Sequence, residues 1–128
     1  SGYLNLALSL NKKLILHGEA FNFGPISTDT RSVLDLVEEM SKHWDKVNWN
    51  ISAVDNDFHE SGLLKLNCDK AYDLLNWRAF LNFQETIKFT VEWYKNFFED
   101  SSEIITLSKM QIETYCKLAR LNEIAWAL

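Results

Sequence analysis

Proline occurs once and glycine four times in 128 residues, too few for an inter-domain linker or a low-complexity tract. Cysteine is equally scarce: Cys68 and Cys116 are far apart, with no C-x-x-C and no histidine at zinc-ligand spacing, so they read as two buried thiols in a reducing compartment. His17, His43 and His59 are scattered as well, and no metal site is expected. Positive charge is in deficit, with a formal net charge of −5 and the two signs interspersed. Without an extended basic surface to neutralise phosphates, nucleic-acid binding is not expected. No apolar run approaches the roughly 20 residues that cross a bilayer, and residues 1–20 lack a signal-peptide pattern. The expected location is the cytoplasm, without membrane contact.

What is abundant is apolar surface: 47% of residues are hydrophobic and 13% aromatic. A chain of this length can bury roughly two-thirds of the surface its unfolded form exposes, so an ordered globular domain is expected. Tyr3, Leu4, Ala7, Leu8 and Leu10 form a helical stripe that opens within two residues of the start. Residues 20–23 read as a short strand stopped by Gly24-Pro25. Ser32 suits an N-cap, with Asp35 three residues on. Val33, Leu36, Val37, Met40 and Trp44 then share one face, opposite Asp35, Glu38, Glu39 and Lys42.

Residues 47–51 alternate apolar and polar, the pattern of a half-buried strand. Residues 63–66 are short, apolar and bounded by Gly62 and Asn67, which also reads as a strand. A small helix over 69–75 ends at Asn76, a residue that tolerates the left-handed conformation. Residues 83–98 give the strongest helical pattern, with Ile87, Val91, Tyr94 and Phe98 aligned and Glu85, Lys88, Glu92 and Lys95 on the wet face. Ser108 and Gln111 have capping-box spacing, flanked by the Leu107 and Ile112 staple, so a last helix is predicted to start near Ser108. The fold class is therefore mixed α/β: about five helices and three short strands, with no complete doubly wound sheet.

The chemistry is conspicuous by omission. A dinucleotide site needs closely spaced glycines at a strand-to-helix turn, and Gly2, Gly18, Gly24 and Gly62 are not so placed. Four residues after Tyr3, Tyr72, Tyr94 and Tyr115 stand Ala7, Asn76, Phe98 and Ala119. The Tyr-x-x-x-Lys pair, in which lysine lowers the tyrosine pKa for proton transfer, is thus absent.

Several stretches nevertheless carry a resemblance in order and spacing. They are Ser1-Gly2-Tyr3-Leu4, Phe21-Asn22-Phe23-Gly24-Pro25, His59-Glu60, the Leu64-to-Ala71 run ending Asn67-Cys68-Asp69-Lys70-Ala71, Leu75-Asn76-Trp77-Arg78, Thr90-Val91-Glu92-Trp93-Tyr94 and Thr106-to-Tyr115. Together they resemble the C-terminal part of the CDP-glucose 4,6-dehydratases, a group within the extended short-chain dehydrogenases/reductases. The chain departs from that pattern at Asp69, where the family has Ser before Lys-Ala, and at Asn76, where it has Gly. Both departures are mild at helix ends, where Asp69 can serve as a cap.

The resemblance implies that residues 1–100 are a substrate-binding region and residues 101–128 a helical extension. It also implies that NAD and the catalytic residues belong to a larger N-terminal region outside this chain. In the family reaction NAD takes hydride from the sugar C4, water leaves across C5 and C6, and hydride returns to C6. No catalytic or cofactor-binding residue is assigned to this chain, which is expected to be inactive alone.

His59 and Glu60 are the pair carried over as substrate-facing, where related epimerases have Gly-Asp near the nucleotide ribose; a carboxylate there accepts hydrogen bonds from hydroxyls. The alternative is a solvated loop before a strand. The epimerases' phosphate-binding Arg corresponds to Asp57, so that contact is not inherited. Arg31 and Arg78 are better read as lone surface arginines than as anion partners. Residues 22–25 support the site rather than touch ligand, and Trp44, Trp49, Trp77 and Trp93 read as packing residues.

Three functions stand side by side: CDP-glucose binding within such a dehydratase, the same role in a UDP- or dTDP-sugar dehydratase or epimerase, and a stand-alone binding or dimerisation module. On the first two, the Tyr3 helix and the Phe21 strand lose partners supplied by the missing region. Self-association of this chain and a homodimer of the complete enzyme are then expected.

Overall fold

The computed structural model describes residues 1–26, 30–50 and 66–128. These contain five α-helices: α1 (Gly2–Leu10), α2 (Val33–Ser41), α3 (Asp69–Leu75), α4 (Phe83–Glu99) and α5 (Ile104–Leu121). Single 3-10 turns lie at Leu14–Leu16, Ser101–Glu103 and Ala125–Ala127. The chain divides into two compact units. One comprises Ser1–Asp29, Lys65–Phe80 and Thr114–Leu128, and the other Thr30–Leu64 with Leu81–Glu113.

In the first unit Leu16, Ala71, Leu75 and Trp77 form the core, with Leu6, Leu10, Phe21, Phe23, Ala79 and Trp126 packed against it. The C-terminal end of α3 is closed by three devices that satisfy its orphaned carbonyls. Asn76 takes the left-handed conformation expected of it, at φ 50° and ψ 38°, and the Trp77 N–H returns to the Ala71 carbonyl at 3.2 Å. Lys13 Nζ donates to the Leu74 carbonyl at 3.0 Å. Asn5 Nδ2 donates to the Leu75 carbonyl at 3.1 Å, which fixes how α1 is rotated about its axis.

That rotation corrects the expected inner face of α1. Gly2 is buried and Leu6 and Leu10 turn to the core, whereas Tyr3, Leu4 and Leu8 are 80%, 74% and 66% exposed. Gly2 is required by contact: a Cβ there would lie 2.5 Å from Phe23 Cδ1. The last residues of the chain belong to the same unit. Ala119 and Ile124 are almost fully buried, and Trp126 stacks on Tyr115 with centroids 5.8 Å apart.

The second unit is built on α2 against α4. Both helices open with a reciprocal capping box, Ser32 with Asp35 and Asn82 with Glu85, leaving no orphan donor at the N-cap and N3 positions. Ile87 and Val91 are buried as the periodicity of α4 requires, but Tyr94 and Phe98 on the same stripe are exposed. Glu39, placed by the sequence on the wet face of α2, is instead buried. Its carboxylate is neutralised there by Lys42 Nζ at 2.7 Å.

No strand occurs among the described residues, so the helical architecture replaces the mixed one read from the sequence at residues 20–23 and 47–50. A strand exists only through a ladder partner, and neither segment has one among the described residues. Asn22 Nδ2 donates to the Asn67 carbonyl at 3.2 Å, and Asn48 Nδ2 to the Lys46 carbonyl at 3.2 Å. The second of these bonds is local, and local bonding competes with sheet formation. Of the third strand, 63–66, residues 63–65 lie outside the described residues.

Helix α5 starts at Ile104, four residues before Ser108. Asp100 accepts from the Ser102 N–H at 3.0 Å and starts a 3-10 turn that runs directly into the helix. Ser108 is consequently interior. Its hydroxyl donates back to the Ile104 carbonyl at 2.7 Å and accepts from Trp93 Nε1 at 2.9 Å.

Candidate functional site

His59 and Glu60, the substrate-facing pair expected from the sequence, lie outside the described residues, as does Asp57. What the structure describes is the segment from Leu66 onward. Leu66 leads through Asn67 into α3. Asn67 performs the capping expected of Asp69: its Oδ1 accepts from the Asp69 N–H at 2.8 Å, and its Nδ2 donates to Asp69 Oδ2 at 3.0 Å. Asp69 is the first residue of α3 rather than its cap. There its negative charge suits the helix N-terminus.

Residues 22–25 pack against this turn; the supporting role read for them beside His59 and Glu60 falls outside the described residues. Phe23 meets Trp77 edge-on with centroids 4.9 Å apart and Tyr3 at 5.5 Å. Gly24 faces Cys68 and Leu66, where an added Cβ would make ordinary contact at 3.5 Å from Cys68 Sγ. Asn22 holds the Asn67 carbonyl, and Lys70 pairs with Glu19 while lying 5.2 Å over the Phe21 ring. Phe21 is therefore packed and clamped rather than left on an open edge.

The Lys70–Glu19 pair and the Asn22–Asn67 bond were not foreseen. They join residues 45 to 51 positions apart, and neither helical nor strand periodicity signals such a pair. The residue types were the only available sign, since both asparagines and the lysine fall within the recognised stretches.

The two arginines take separate places. Arg31, in the second unit, sits 5.0 Å over the Phe83 ring, a cation–π contact. Arg78, in the first unit, is exposed. Trp77 is buried as expected, and Trp93 and Trp44 are half-buried, with Trp44 Nε1 donating to Glu99 Oε1 at 3.0 Å. Trp49 is 39% exposed and departs from its expected packing role. Both cysteines are free and half-buried. No cluster of three metal-ligating side chains occurs among the described residues, and none of their helices is long and apolar enough to cross a membrane.

Electrostatically, the second unit holds the anchored carboxylates. Hydrogen bonds from the Ser32 backbone and side chain, with Arg31 nearby, keep Asp35 below the ordinary carboxylate range. Lys42 first, then His43, do the same for Glu39. Lys46 and Trp44 lower Glu99, and Ser102 lowers Asp100. These groups are structural ligands of helix ends and neighbouring cations, not free acids or bases.

Over 116 residues, 90% of its length, the chain is 32% identical to the CDP-glucose 4,6-dehydratase of Salmonella typhimurium strain LT2. It spans only 32% of that protein, about a third of the relative it matches. No family model matches the chain, and no solved structure matches it. The similarity agrees with the resemblance read from the motifs and identifies a dehydratase-related region.

Proposed function

We propose that this chain is the nucleotide-sugar-holding part of a CDP-glucose 4,6-dehydratase-like enzyme, with NAD and the acid-base residues held by sequence outside these 128 residues. The observation that carries the reading is the 32% identity sustained over 90% of the chain against one third of a dehydratase. The absence of a glycine-rich turn and of a Tyr-x-x-x-Lys pair supports the division of labour, because the cofactor would supply the redox chemistry elsewhere. On this reading His59 and Glu60 face the nucleotide sugar, and Glu60 accepts hydrogen bonds from ribose hydroxyls.

Calorimetric titration of the 128-residue chain with CDP-glucose, UDP-glucose, dTDP-glucose and NAD tests this. CDP-glucose is expected to bind in preference to the other two sugars, and NAD not to bind. Glu60→Gln should weaken CDP-glucose about tenfold, the worth of one hydrogen bond to a charged group. Tight NAD binding would overturn the assignment, and preference for UDP- or dTDP-glucose would move it to another dehydratase or epimerase.

A further inference from the structure

We draw no further inference here: the strongest candidate, the exposed aromatic face of α4 formed by Tyr94, Phe97 and Phe98 with Trp44 stacked on Phe98, carries nothing because nothing in the structure shows what covers it.

Discussion

Trp77 Nε1 donates to Ser1 Oγ across 3.1 Å, joining the turn after α3 to the residue that opens α1. The same hydroxyl lies 2.7 Å from the Tyr115 phenol, so one serine links three segments of the first unit. Buried tryptophan needs a partner for its N–H, and here it supplies a long-range constraint as well. Trp77→Phe retains most of the ring volume and removes the donor. It is expected to destabilise the first unit by about 1–2 kcal/mol, read as a lower midpoint in urea with little change in slope. An unchanged midpoint would mean that the bond contributes nothing net.

The left-handed residues give a paired prediction. Asn76 and Glu123 have φ of 50° and 51°, and after each the chain closes its helix with a backward bond, Trp77 N–H to Ala71 O and Ile124 N–H to Ala119 O. A side chain at such a φ costs about 1 kcal/mol, and asparagine suffers least. Glu123→Gly should therefore stabilise by about 0.5–1 kcal/mol and Asn76→Gly by less. Asn76→Ala should destabilise. Thermal unfolding of the three variants checks both the signs and the order.

Gly2 reverses the usual helix rule. Alanine ordinarily improves a helix by up to about 1 kcal/mol over glycine, but Gly2→Ala would put a methyl group 2.5 Å from Phe23 Cδ1 and 2.8 Å from Cγ. Relief requires moving a ring that is itself set against Trp77 and Tyr3. Overpacking of this kind costs about 1–3 kcal/mol, so the net effect is destabilising. A gain in melting temperature would show that the ring moves freely.

Local signals were the legible part of this chain. Ser32 and Asp35 announced α2, the 69–75 helix fell where its pattern placed it, and Asn76 stopped it as anticipated. Facing was legible only in part. The apolar residues of α1 cover more of its circumference than the core can accept, and the bond from Asn5 to Leu75 selects which side turns inward. The Ser108 and Gln111 pair fitted a capping box but serves α4 instead, with Gln111 Nε2 bound to the Phe89 carbonyl at 2.9 Å. Spacing alone does not distinguish a cap from a cross-helix bridge. The candidate pair His59 and Glu60 was legible only through resemblance, because no local rule assigns a carboxylate to a ribose.

Acid should act on the second unit through a definite set of groups. Asp35, Glu39, Glu99 and Asp100 all belong to it, and each is held below its ordinary carboxylate range by named hydrogen bonds or cations. A carboxylate with a depressed folded-state pKa adds stability that is fully present above its unfolded pKa, about 4, and is lost as pH falls through the folded value. The second unit is therefore expected to be stable at neutral pH and to weaken progressively below about pH 4. Indole N–H resonances follow this directly, since Trp44 and Trp93 report on the second unit and Trp77 on the first. On acid titration the Trp44 signal should move first, because Glu99, its acceptor, is one of the four groups. Asp35→Asn removes part of the acid-sensitive stability, flattening the dependence below pH 4 while lowering the stability at pH 7. A second unit whose stability does not change between pH 7 and pH 2.5 would refute the assignment of these carboxylates as its anchors.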